Sequence, residues 1–380
     1  MRAPRFRRGS RRPGIALLIA LVTMSLVGAL AAGLLLAAMR ERRDGADAIR
    51  RVRALAAAES GAAELLAEGA WPAAWLATPA RGAVGVREYR TGDGALDSVR
   101  VLRLSLSTFL VASRGIAGVG ASQARRRIGV LLDLRVPELA PRAALTAAEG
   151  VAVAAGSEVN GSSVAPPGWE CAFDDAEPSI AAVAVSPTAA VDTVACAASG
   201  CLRGAIPIIR DSAVADPAGW AHPGEVDRSA LLAVARPLPA GSTIADAAPS
   251  LDHSGACDTA AVRNLGDPRR ALGTAPPCGG WFPVLHSPGD LHLSGGAGQG
   301  VLLVDGDLHL ERGASFAGLA IVRGAFRSSG NASFDGAVIA STATLDQRST
   351  VRYSRCAVTS ALTRIAHPVL ARRWRWMELW

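Results

Sequence analysis

The sequence predicts an α+β fold. A long N-terminal helix, transmembrane and then amphipathic, is followed by a small antiparallel β-sheet and then a right-handed-type β-solenoid carrying a long irregular insertion. Three observations predict it. Residues 15–39 carry no charge, and a helical apolar period continues beyond them. Residues 84–136 alternate apolar and polar side chains. Gly300, Gly318 and Gly336 stand 18 residues apart, while the string GDLHL at 289–293 returns at 306–310. A period that short suits one coil of a β-solenoid rather than a helical pair.

Residues 1–14 form a short basic leader in which Arg2, Arg5, Arg7, Arg8, Arg11 and Arg12 supply six charges. The formal net charge is +7, and all 40 basic residues are arginine. Without the leader the chain is close to neutral. The basic balance therefore marks targeting, and no nucleic-acid partner is expected.

Residues 15–39 hold only Thr23 and Ser25 as polar interruptions. As a helix rising ~1.5 Å per residue they span about 37 Å, against about 30 Å of hydrocarbon. The run is too long for the ~7–15-residue apolar region of a cleaved secretory signal. A single-pass anchor in the bacterial inner membrane is expected, with the N-terminus cytoplasmic and the body periplasmic or displayed on a pilus or cell surface. Residues 40–70 extend the helix in amphipathic form. Ile49, Val52, Leu55, Ala56, Leu65 and Leu66 recur at three- and four-residue steps between Arg and Glu. Gly45 weakens the helix and Pro72 ends it.

The alternation over 84–136 reads as an antiparallel meander laid on the end of that helix, with Gly92-Asp93-Gly94 as a turn. Residues 143–164 read as an early solenoid coil and 284–356 as the main repeats. There Gly300, Gly318 and Gly336 are expected at coil corners, where a positive φ or a close approach is required. Residues 357–380 form a C-terminal cap or tail, with Trp374, Trp376 and Trp380 covering the solenoid end. Residues 165–283 are the irregular insertion, with a short helix around Asp227–Ala235. The insertion holds five of the six cysteines. Scattered cysteines behind an export signal imply disulfides. Cys196 with Cys201 and Cys257 with Cys278 are the nearest pairs, and spacing alone leaves the connectivity open.

Gly14 followed by Ile15 and the apolar run resembles a type III prepilin signal. The stretch MRERRDGADAIRRVRALAAAESGAAEL, with Ala54, Leu55, Ala57, Ala58 and Glu59 as its family motif, resembles the N-terminal region of PilX-type minor pilins. The run GQGVLLVDGDLHLERGASFAGLAIVRG resembles the C-terminal repeats of many proteins with that region. The resemblance implies cleavage by a prepilin peptidase between Gly14 and Ile15. It also implies packing of the helix with other pilins or pseudopilins, and a structural role in filament assembly or surface display in a type IV pilus or related secretion apparatus. Major pilins carry Glu at the fifth mature position; here it is Ile19, which implies a minor or tip subunit.

The remaining chemistry is sparse. His292 and His309 occupy equivalent positions of the GDLHL repeat, and two stacked imidazoles bind metal less often than they decorate a surface. Asp290, Asp305 and Asp307 flank the same strands, where carboxylates either do acid/base work or serve as turn residues. Asp174, Asp175 and Glu177 form an acidic loop. No P-loop, GxSxG or HExxH is present. No catalytic residue, metal or cofactor is expected, and the chain is not expected to be an enzyme. The alternatives are a membrane-anchored β-solenoid adhesin and a β-helix carbohydrate-active enzyme using those aspartates.

Overall fold

The computed structural model describes residues 13–67, 82–90, 96–105, 108–169, 179–193, 198–215, 224–270, 278–370 and 377–378. One unbroken helix, α1, runs Pro13–Ala67 over 55 residues. Gly45 does not interrupt it. A mid-helix glycine costs only about 1 kcal/mol, and long runs of Ala, Leu, Arg and Glu on either side offset that. Pro72 lies outside the described residues.

β1 (Ala83–Arg90), β2 (Leu96–Arg103), β3 (Thr108–Ala117) and β4 (Ala124–Arg135) pair antiparallel in sequence order. Burial along β3 alternates strictly, as a sheet with one covered face requires. Val99, Val101, Phe109, Val111, Val130 and Leu132 form the covered face and pack with Ala58, Ala62 and Leu65 of α1.

The body consists of parallel strands. They are β5 (Ala143–Val153), β6 (Glu158–Asn160), β7 (Ala181–Val185), β8 (Ala190–Asp192), β9 (Leu202–Arg203), β10 (Ile208–Arg210), β11 (Arg236–Pro237), β12 (Ser242–Ala247), β13 (Val284–Ser287), β14 (Leu291–Val304), β15 (Leu308–Glu311), β16 (Ser315–Val322), β17 (Ala325–Ser328), β18 (Ser333–Leu345) and β19 (Thr350–Arg352). Within the repeats, successive layers pair with an offset of 18 (Val301 with Leu319) or 17 (Leu291 with Leu308).

Three ladders of like residues result. One runs Leu285, Leu302, Ala320, Val338, Leu145, Val183. Another runs Ile244, Leu293, Leu310, Ser328, Leu345, Val153. The third runs Gly298, Phe316, Phe334, Val351, Val159, Leu202. Nearly all of these side chains meet in one buried cluster, and the Phe316 and Phe334 rings stack at 5.6 Å.

The chain does not climb this stack from one end to the other. It enters in the middle at β5 and proceeds through β7 to β10 at one end. Then it crosses to β11, β12 and β13 at the opposite end and returns layer by layer until β18 and β19 pair with β5 and β6. Residues 165–283 are therefore not simply irregular: they supply β7 to β12, which add layers at both ends. Their strands are two to six residues long. No repeat marks them, because each pairs with a partner distant in sequence.

The repeats predict an open stack of coils. Five strands, β14, β15, β17, β18 and β16, instead close on one another pairwise in a ring. The reason is length. β14 has 14 residues and β18 has 13, and each bends to serve two walls.

The unalternating four-residue runs VLLV and LAIV also have a cause. Leu302 and Val304 point into the main cluster, while Val301, Leu303, Leu319 and Ile321 pack outward against Leu231, Val358 and Leu362. The latter come from the helices Arg228–Ala233 and Arg355–Ala361 and the turn that follows. Strands buried on both faces carry apolar residues at every position.

Two further expectations are corrected. The C-terminal segment does not cap the stack in its described part. β20 (His367–Leu370) and β21 (Met377–Glu378) both pair antiparallel with β4, covering what would be an open sheet edge. Trp374, Trp376 and Trp380 lie outside the described residues. Gly300, Gly318 and Gly336 are not at corners between strands. They are paired with one another inside β14, β16 and β18, at φ +116°, +142° and +148°. A Cβ at Gly318 would overlap the Gly300 carbonyl oxygen, and one at Gly336 would overlap that of Gly318.

Replacing Gly318 by Ala combines a forbidden φ with a backbone overlap. It is expected to destabilise the body by about 3 kcal/mol or more. Gly313 (φ +73°) has open space around it, and its replacement by Ala is expected to cost about 1 kcal/mol. Urea unfolding of the two variants against the parent checks the difference.

Candidate functional site

The candidate site is α1 and the sheet that receives it. Gly14 and Ile15 lie in the first turn of α1; the leader as far as residue 12 lies outside the described residues. The large apolar side chains of residues 15–39 are all exposed, and the most apolar 18-residue window has a mean hydropathy of 2.5 with none of it buried. Thr23 satisfies its hydroxyl within the helix, donating to the Ile19 and Ala20 carbonyls at 2.9 and 3.0 Å. That is the way a hydroxyl is accommodated where no water is present. Ile19 is 56% exposed and presents an alkyl side chain where a carboxylate would be costly.

The second half of α1 has two faces. Ala54, Ala57, Ala58, Gly61, Ala62 and Leu65 are buried at three- and four-residue steps, while Ala56, Glu59 and Ala63 are exposed. Leu55 is half-buried and packs at the edge of the same cluster. The small side chains let the helix approach the sheet backbone. A Cβ at Gly115 of β3 would overlap the Ala54 carbonyl oxygen. Ala54, Leu55, Ala57 and Ala58 thus dock the head onto its helix, and Glu59 faces solvent. The burial was legible as helical periodicity; its direction toward this chain's own sheet was not.

The histidines and aspartates of the repeats divide between two places. His292 and His309 pair in register and stack with ring centroids 4.3 Å apart, 11° from parallel. Arg327 is the next rung. Partial burial pushes the His309 imidazole below its ordinary value, and His292 and Arg327 add to the shift, with Asp307 and Asp290 opposing it. Asp290 Oδ1 accepts the Asp307 N–H, and Asp307 Oδ1 accepts the Ala325 N–H, each at 2.8 Å. These carboxylates bond backbone from layer to layer.

Asp305 is engaged elsewhere. It lies 2.9 Å from His286 Nε2 and accepts from Arg228 Nη2 at 2.6 Å, tying the helix Arg228–Ala233 to the wall. Among the described residues no group of three or more His, Cys, Asp or Glu is placed to hold a metal ion. Asp174, Asp175 and Glu177 lie outside the described residues.

Several organising side chains carried no sequence signal. Asn264 is fully buried. It donates to the Asp258 and Ser250 carbonyls at 2.7 and 3.2 Å, and its Oδ1 accepts the Gly266 N–H at 3.1 Å. Arg236 donates to the Thr259 and Ala261 carbonyls, both at 3.0 Å. Gln299, also fully buried, donates to the Gly279 and Trp281 carbonyls at 3.0 and 2.9 Å. Cys257 and Cys278 form a disulfide in the same region. Cys201 and Cys356 each take part in a further disulfide; Cys171 and Cys196 lie outside the described residues. A buried amide or a half-buried guanidinium that meets several carbonyls helps to order a glycine- and proline-rich segment, beside the disulfide.

These features define a class: a β-rich body with an antiparallel sheet, carried on one long N-terminal apolar helix compatible with a single-pass membrane anchor. No protein-family model matches the chain, and no curated protein matches it. Among solved structures it is similar to the competence-associated pilin ComZ from Thermus thermophilus, at 13% identity over 87% of this chain and 98% of that chain, with a TM-score of 0.25.

Two outcomes follow from the site. Ala58→Leu is expected to overpack the helix–sheet contact and destabilise the head by about 1–3 kcal/mol. Ala56→Leu, on the exposed face, is expected to stay within about 0.5 kcal/mol of the parent; thermal unfolding in detergent reads both. The depressed pKa of His309 contributes stability that is complete above the unfolded imidazole value of about 6.5 and is lost as pH falls through the lower folded value. The melting temperature should therefore drop on acidification below that value, and His309→Gln should lessen the drop.

Proposed function

We propose that this chain is a minor pilin or pseudopilin-like protein of the PilX type, non-enzymatic, acting in filament assembly or surface display in a type IV pilus or related secretion apparatus. On this reading the layered parallel body is a β-solenoid that α1 carries and presents. The observation that supports it most is α1 itself. One helix is wholly exposed and apolar over 15–39, then seats a β-sheet on a face of small residues over 54–65. A plain signal anchor has no reason to continue unbroken into the body it carries. The basic leader ending at Gly14 supplies a cleavage point that leaves all of α1 except Pro13 and Gly14 on the mature chain. Other pilins or pseudopilins, the inner membrane and a prepilin peptidase are the partners this reading requires.

Catalysis is not part of it. Asp290 and Asp307 accept backbone N–H groups and Asp305 bonds Arg228 and His286, the structural roles that this reading gives them. Ile19 in place of a carboxylate favours a minor or tip position over bulk incorporation.

Mass spectrometry of the mature N-terminus in its native host decides the matter. The expected chain begins at Ile15. A chain beginning at Met1, or one cut after residue 39, would overturn the proposal.

A further inference from the structure

We infer that the end of the antiparallel sheet nearest the anchor, the β3–β4 turn together with the adjoining stretch of α1, is a docking surface for anionic phospholipid headgroups. The inference rests on the reading of α1 as a membrane anchor.

Position comes first. Gly115 of β3 lies against Ala54 and Ala58, whereas a Cβ at Gly118 would stand 3.1 Å from Arg50 Cδ. Moving along β3 toward the turn therefore moves along α1 toward its apolar half, and residues 118–123 lie, among the described residues, at the membrane-ward end of the sheet. Arg50 is 11 residues beyond Met39, which is about 16 Å of helix. Headgroups extend about 5–8 Å beyond the hydrocarbon. A helix tilt of about 20°, the ordinary value, together with a screening length of about 8 Å brings the turn within electrostatic reach.

Chemistry comes second. Arg50, Arg51, Arg125 and Arg126 line an open concavity of about 570 Å³ with Ser122 and Gln123. One acid, Asp47, also lines it and is paired with Arg50. The helix between 40 and 53 carries six arginines against Glu41, Asp44 and Asp47. At the tip of the turn Val119 is 85% exposed, more than Met24 of the apolar run at 79%. A cluster of guanidinium groups beside an exposed apolar turn, on the membrane side of an anchored head, matches a surface whose arginines reach toward headgroup phosphates. The nearness of this cluster to the apolar half of α1 favours headgroups over an acidic protein partner.

The test uses the full chain in nanodiscs of neutral phosphatidylcholine or of phosphatidylcholine with anionic phosphatidylglycerol, read by hydrogen–deuterium exchange. Amides of residues 118–124 are expected to exchange more slowly in the anionic discs, by about five-fold for each arginine that reaches the headgroups. High salt and the double substitution R51E/R125E should both remove the difference, while amides of β14 to β18 stay unchanged and report an intact fold. R51Q/R125Q should give an intermediate value. A chain that integrates into both discs but exchanges alike in them overturns this surface and leaves the anchor standing. A chain that integrates into neither overturns both.

Discussion

Everything in the body depends on the parallel pairing of its first layer with its last, β5 with β18 and β6 with β19. Without it the chain would make two short stacks, β5 to β10 and β11 to β19, each with a bare edge and half a core. The pairing joins Leu145 to Val338 and Val159 to Val351, so that one cluster of aliphatic side chains runs through both. Such a contact closes a very long loop, and that entropy is recovered only when the full set of rungs forms at once. Folding is therefore dominated by non-local contacts and is intrinsically slow. The disulfide Cys257–Cys278 and the buried Asn264 act just beyond the crossing, ordering the segment between β12 and β13.

A second constraint recurs in both halves of the molecule: backbone brought closer than a side chain allows. In the body it is the column Gly300, Gly318, Gly336, each beneath the carbonyl of the one before. In the head it is Gly115 beneath Ala54, with Ala57, Ala58, Gly61 and Ala62 extending the contact. Alanine and glycine bury little area, so these contacts contribute shape more than hydrophobic free energy. They compensate for a composition with 4% aromatic residues, in which few large side chains are present to fill gaps.

How much was legible follows from periodicity. The apolar helix, its amphipathic extension, the alternating strands and the 18-residue column are all set by patterns along the chain, and all could be read. Strands β7 to β12 could not, since their partners are set by tertiary placement, and Ala181–Val185 is an apolar run that a loop of this composition would equally contain. The return of the tail to β4 was hidden for the same reason: four residues at 367–370 carry no signal of the edge they will cover. The glycines were found by their spacing, but their place inside long strands depends on how β14 and β18 bend. Of the candidate site, the Ala54–Glu59 segment was recognised as a motif, while its role as a seat for the sheet required Gly115, which lies far away in sequence. His292 and His309 were placed on adjacent rungs by the repeat, and there they are.

The route of the chain between its two parts has a mechanical consequence. β4 leads directly into β5, and the helix Arg355–Ala361 leads back into β20, whose His367 pairs with Arg135 at the end of β4. The two crossings therefore leave the sheet side by side. Tension applied along α1 enters the sheet through its packed face and passes to the layered body by two strands sharing the load at one point. That attachment resists being pulled apart, because both strands must yield together and Val136, Leu139 and Ile365 of the two connections pack against the body. An assembly that tugs on α1 would move this body as a cargo on a two-cord tether, leaving its ladders unstressed.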